Sequence, residues 1–135
     1  MLIRIGLIII TIPRVNAVAT IFLSFVFSGC GVNESVSPLL ASEPEESSIT
    51  ERVPRTIRLY FKSLPDVDQS NISLIGPSGD YTLRGLHTMG EDDLMVEIYK
   101  PMLVDGEYRV EWEAQFTDGR VGASGEYNFS IRVSP

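Results

Sequence analysis

Tyr108-Arg-Val-Glu-Trp-Glu-Ala-Gln-Phe116 places Tyr108, Val110, Trp112, Ala114 and Phe116 at every second position, with Arg109, Glu111, Glu113 and Gln115 between them. Successive side chains of an extended chain point to opposite faces, so this alternation marks a strand with one buried side. The same rhythm returns in Tyr127, Phe129, Ile131 and Val133. Two such apolar faces need a second sheet to cover them.

Working outward from these strands, Ile57, Leu59 and Phe61 alternate with Thr56, Arg58 and Tyr60 to give a first strand. Ile72 and Leu74 give a second, and Gly76-Pro-Ser-Gly79 turns it into a third that carries Tyr81 and Leu83. Both glycines can supply the positive φ that tight hairpins demand. Leu94, Val96 and Ile98 form a fourth strand before the loop Lys100-Pro-Met-Leu-Val-Asp-Gly106. From Pro54 onward no stretch carries a helical stripe. Six or more short strands separated by Gly, Pro and Asp turns predict an all-β domain over 54–135, a small antiparallel Greek-key sandwich of immunoglobulin-like type. Its core is expected around Trp112, Phe116, Tyr108 and Phe129, with Trp112 at the centre.

The N-terminal part reads differently. Between Leu2 and Phe27 the only charges are Arg4 and Arg14, and Ala17–Phe27 is an apolar run ending in Ser28-Gly29-Cys30. A positive start, a short apolar stretch and small residues at its end describe a secretory signal over 1–29. The run is shorter than the ~20 apolar residues a membrane span needs. Ser28-Gly29-Cys30 resembles the lipobox of bacterial lipoproteins, which implies lipidation of Cys30 and anchoring to a membrane of the cell envelope. Gly31 after the cysteine resembles the pattern of outer-membrane lipoproteins in a Gram-negative cell. Residues 30–53 hold Glu34, Glu43, Glu45, Glu46 and Glu51 among many Ser and Pro, a composition that predicts a solvated linker.

The 135 residues carry 11 basic and 18 acidic side chains, a net charge of −7, with one Cys and one His. Without 1–29 the balance is nine basic to eighteen acidic, or −9. Such a surface has no footprint for nucleic acid and is repelled by anionic headgroups. One Cys and one His exclude a Cys/His zinc site and any internal disulfide. With a single His and no Gly-x-Ser-x-Gly context, a nucleophile has no base beside it, and the chain reads as a non-enzyme. Asp66-Val-Asp-Gln-Ser70 starts like a calcium loop but has Asn71 where Gly is needed and Pro77 where Glu is needed. Glu91-Asp92-Asp93 reads as a solvated acidic hairpin loop.

Pro54-Arg-Thr-Ile-Arg-Leu-Tyr-Phe61, Ile72-Ser-Leu-Ile-Gly-Pro-Ser-Gly79, Asp105-Gly-Glu-Tyr-Arg-Val-Glu-Trp112 and Thr117-Asp-Gly-Arg-Val-Gly-Ala-Ser-Gly-Glu-Tyr-Asn-Phe129 together resemble the successive motifs of the CopC copper-resistance family. The resemblance runs from about Pro54 to Val133 and implies a periplasmic β-sandwich that handles copper. It also implies a Cu(II) site made by an N-terminal His with an Asp and a His at an Asp-Gly-His turn. Here that turn is Asp118-Gly119-Arg120, and Arg120 has no lone pair to donate. Asp118 is therefore left as a lone candidate ligand, and the family's leading His and first strand are not visible before Pro54.

A different donor set is available in His87-Thr88-Met89, one imidazole and one thioether in a Gly-flanked loop, with Met95 and Met102 nearby in sequence. Thioethers favour Cu(I) over Cu(II). The competing reading of these residues is an exposed loop His and gap-filling Met. Two functions follow: an envelope-anchored copper-binding module with a degraded Cu(II) site, or a metal-free sandwich lipoprotein that binds another envelope protein.

Overall fold

The computed structural model describes residues 37–133. The signal segment, Cys30 and the front of the acidic stretch lie outside these residues. Within them the chain forms eight strands: β1 Leu39–Glu43, β2 Ile49–Thr50, β3 Thr56–Phe61, β4 Asn71–Gly76, β5 Gly79–His87, β6 Asp93–Lys100, β7 Gly106–Ala114 and β8 Ala123–Ile131. One 3-10 turn, Val67–Gln69, is capped by the Asp66 side chain, which accepts from the Asp68 amide at 3.1 Å. The acidic segment 66–70 is thus a capped turn.

The strands run in the order β1-β3-β6-β5-β4-β7-β8-β2 in one curled sheet. The curl makes a sandwich because β5 belongs to both layers. Its start pairs with β4 through Gly79, Asp80 and Tyr81, and from Thr82 onward it pairs with β6. All neighbours are antiparallel except β2 and β8, which run parallel through Ile49 with Ser130 and Thr50 with Ile131.

Alternation along each strand fills the interior. Ile57, Leu59 and Phe61 from β3, Leu94 and Val96 from β6, and Tyr108, Val110, Trp112 and Ala114 from β7 are all buried, as are Tyr127, Phe129 and Ile131 from β8. Phe61 meets Trp112 edge-on at 5.3 Å and Phe116 at 5.7 Å, while Tyr108 stacks on Phe129 at 5.3 Å. Both geometries suit the ring quadrupole. Leu103, from the loop after β6, closes one end of this core while its neighbour Met102 stands in solvent.

Three sequence expectations change. The linker expected to run through Val53 is already folded from Leu39: β1 pairs with β3 and β2 with β8, so the first strand missing from the sequence reading is present. Its pattern is hidden because β1 is an edge strand that buries only Ser42, and charge on an edge strand protects against sheet-to-sheet association. Gly76 does not adopt positive φ; only Gly79 does, at 86°. Gly76 is needed instead for close approach, since a Cβ there would lie 2.5 Å from the Tyr108 ring. Finally, β8 ends at Ile131, and Val133 is half-exposed with its amide bonded to Asp105 Oδ1 at 3.0 Å.

Candidate functional site

On the outer face of the β3-β6-β5 layer, Arg58 stands opposite Met95 and Tyr60 opposite Asp93. The adjoining strand β5 reaches this face by an irregularity. Arg84 pairs with Glu97 but His87 pairs with Met95, so three steps along β5 match two along β6. This is a β-bulge, and Gly85, at φ 70°, supplies the left-handed residue it requires. Without the extra residue His87 would point into the core. With it, Leu86 packs against the core and His87 shares the outer face with Met95, because directly opposed residues lie on one side of a sheet. His87 is therefore the last residue of a strand, which corrects its placement in a loop.

The bulge also orients the imidazole. His87 Nδ1 is hydrogen-bonded to the Gly85 carbonyl. A carbonyl only accepts, so Nδ1 carries the proton and, in the neutral ring, Nε2 keeps its lone pair. Nε2 lies 3.2 Å from the Met89 sulfur. Both groups are open to solvent.

Met89 is held in place by Asp93. The Met89 amide donates to Asp93 Oδ1 at 3.0 Å, and Asp93 Oδ2 accepts from Arg58 Nε at 2.7 Å. Asp93 is completely buried, the loop 88–92 folding over it. It is not the solvated loop acid of the sequence reading but the first residue of β6. The Asp93 hydrogen bond raises the Arg58 guanidinium still further above its ordinary range. Further along β6, Arg84 grips Glu97 with two bonds, at 2.9 and 3.1 Å, and that fork holds the Glu97 carboxyl below the usual range. The carboxylates flanking Met95 are thus each engaged by an arginine. Beside these paired carboxylates stand one imidazole and two thioethers, while Glu43, opposite Arg58 on the edge strand β1, keeps a carboxylate on the same face that accepts from the Tyr60 hydroxyl at 3.0 Å.

Asp118 is not part of this group. Its carboxylate accepts from Arg120 Nε at 2.7 Å and from the Arg120 amide at 3.1 Å. Partial burial pushes the Asp118 carboxyl up, but hydrogen bonds from the Arg120 backbone and the Ser63 hydroxyl, with the Arg120 charge, bring it below its ordinary value. Met102 belongs to the loop after β6, at the opposite end of that strand from Met95, and does not join either. Among the described residues no three His, Cys, Asp or Glu side chains gather as a metal site would require, and no helix is long and apolar enough to cross a membrane. Thioethers are outside such a set, so the His87 group is judged on its own geometry. Gly85, Arg58 and Asp93 were the residues missed from sequence; a lone Gly inside a strand pattern was the one available signal, since it marks a bulge.

The comparisons with known proteins agree with this fold. Two crystal structures of PcoC from Escherichia coli, described as a copper resistance protein and as methionine rich, match with TM-scores of 0.63 and 0.61 at 23% and 24% identity. They cover 71% and 70% of this chain and 100% and 96% of theirs. The structure of CopC from Methylosinus trichosporium OB3b matches with a TM-score of 0.62 at 21% identity, over 72% of this chain and 94% of that one. No protein of curated function matches the sequence. The family model described as the CopC domain matches residues 39–132, beginning at the same Leu39 that opens β1, and the chain belongs to the CopC domain family.

Proposed function

We propose that this domain is a non-catalytic copper-handling module of the cell envelope, anchored through lipidated Cys30, and that it takes Cu(I) rather than Cu(II). The observation that carries the reading is the pair His87 Nε2 and Met89 Sδ, 3.2 Å apart, with the Nδ1 proton committed to the Gly85 carbonyl. In the neutral ring these are two electron-pair donors that face each other, an arrangement a cation bridges, and an imidazole with a thioether suits a soft one. Membership of a family whose matched relatives are copper resistance proteins supports the same ion. The pairing of Asp118 with Arg120 supports loss of the Cu(II) site, because a guanidinium stands where a nitrogen ligand would be needed.

A second reading has one observation in its favour. At the end of the layer away from His87, Val53, Tyr99, Met102 and Val104 are exposed around the Leu103 plug, as expected of a surface that meets another protein.

Anaerobic Cu(I) titration of the purified full-length chain in detergent, in a Cys30→Ser background that removes the one thiol, separates the two. One equivalent should bind, weakened by His87→Ala and by Met89→Leu and unchanged by Asp118→Asn. If no Cu(I) is retained, the copper reading fails and the metal-free interaction module stands.

A further inference from the structure

We propose that Met95 is a third donor, completing with His87 and Met89 a one-nitrogen, two-sulfur site selective for soft monovalent d10 ions; this rests on the copper reading above and specifies its ligand set. Met95 sits directly across from His87 in the β5–β6 ladder. Side chains at directly opposed positions have Cβ atoms only ~5 Å apart, within reach of a flexible thioether. The bulge at Gly85 is what creates the juxtaposition, since a regular β5 would turn His87 inward and leave Met95 facing Leu86.

The surroundings of Met95 argue for a binding role over a packing one. It is half-buried on the outer face, away from the core filled by Leu94 and Val96 on the same strand. Its two same-face neighbours along β6 are Asp93 and Glu97, and both carboxylates are tied to arginines, at 2.7 Å from Arg58 and 2.9 Å from Arg84. The hard oxygen donors next to Met95 on its own strand are thereby engaged, and Glu43, the free carboxylate of this face, lies beyond β3 on the edge strand β1. A divalent hard cation needs several free carboxylate or carbonyl oxygens, and the two carboxylates beside Met95 are already paired with arginines. A monovalent soft ion needs only the three neutral donors. Asp93 contributes as a positioning residue: it fixes the Met89 amide at 3.0 Å and so keeps the second sulfur beside the ring.

The test uses Ag(I), a redox-stable d10 probe, with the full-length Cys30→Ser chain labelled at its methionine methyl groups. The methyl resonances of Met89 and Met95 should shift together and saturate at one equivalent, while that of Met102 stays fixed. Met95→Leu should weaken Ag(I) binding by about 10-fold or more, since loss even of groups supporting a ligand costs about 10- to 100-fold, and Zn(II) and Mg(II) should shift none of these resonances. A Met95 signal that stays fixed while Met89 responds overturns the third donor and leaves a two-donor site. No response from either methionine overturns this inference and the copper reading together.

Discussion

Arg58 and Asp93 form an ion pair of 2.7 Å on the outer face of a sheet, yet Asp93 is fully shielded from water. The shield is the segment it holds: Asp93 Oδ1 accepts the Met89 amide at 3.0 Å, so one carboxylate ties two strands and the loop bearing Met89 together. Asp93→Ala leaves that amide without its acceptor and leaves the Arg58 guanidinium only its longer contact to the exposed Glu91, at 3.4 Å. An orphaned, partly buried donor costs about 1–3 kcal/mol, and a loss of this size is expected in urea denaturation. Asp93→Asn, which keeps an acceptor for Met89, should lose less. Soft-ion binding should weaken in the Ala variant, because Met89 is no longer held against His87. Wild-type stability in Asp93→Ala would show that the pair does no structural work.

The core was legible in the sequence, and the site was legible only as a list. Period-two alternation exposed β3, β6, β7 and β8, because each has one apolar face and one polar face. β1 was hidden, since an edge strand that buries Ser42 leaves no such trace. His87 and Met89 stood out as residue types, but their relation depended on a bulge that shifts pairing by one residue, and alternation cannot report register. Asp93 was concealed among Glu91 and Asp92, which are exposed. What distinguishes it is complete burial between the Met89 amide and Arg58, 35 residues earlier, whereas Glu91 meets the same guanidinium at 3.4 Å from an exposed position.

Gly76→Ala tests close approach instead of backbone freedom. The added methyl would lie 2.5 Å from two atoms of the Tyr108 ring and 3.0 Å from Tyr81. Tyr108 cannot retreat easily, because its hydroxyl donates to the Val104 carbonyl at 2.7 Å and accepts from the Val104 amide at 2.9 Å, and its ring stacks on Phe129. Overpacking of this kind costs about 1–3 kcal/mol. Gly79→Ala meets no neighbouring atom, and its penalty should come from positive φ alone, about 1–2 kcal/mol for an L-residue in the left-handed region. The double variant Gly76→Ala/Tyr108→Leu should recover part of the first loss and none of the second.

Trp112→Ala removes the largest side chain of the core. Trp112 packs edge-on against Phe61 and lies so close to Gly125 that a Cβ there would come within 2.7 Å of its ring. Replacing a buried aromatic by Ala costs about 3–5 kcal/mol. For a sandwich of this size, with no disulfide, that is a large share of a typical domain stability of about 5–15 kcal/mol. Thermal melting followed by circular dichroism should show the transition lowered strongly or lost. A cooperative melt near the wild-type temperature would contradict its place at the centre of the core.

Alkaline stability should be set by buried phenols. Tyr127 lies in the core, and its hydroxyl makes no hydrogen bond of good geometry among the described residues. Burial pushes its phenol up to about 12. In the unfolded chain the same group ionises near 10, so between about 10 and 12 the unfolded state has lost a proton that the folded state retains. Unfolding is then favoured as pH rises: this group's share is intact below pH about 10 and falls by about 1.4 kcal/mol per unit up to about 12. Denaturation midpoints measured across that range should drop for the wild type. Tyr127→Phe should flatten part of the slope, and because the hydroxyl has only Ser42 beside it and makes no bond of good geometry, it should cost little near neutral pH. An unchanged slope in the Phe variant would mean that another phenol, with Tyr108 the first to examine since burial also raises it to about 12, governs the alkaline limit.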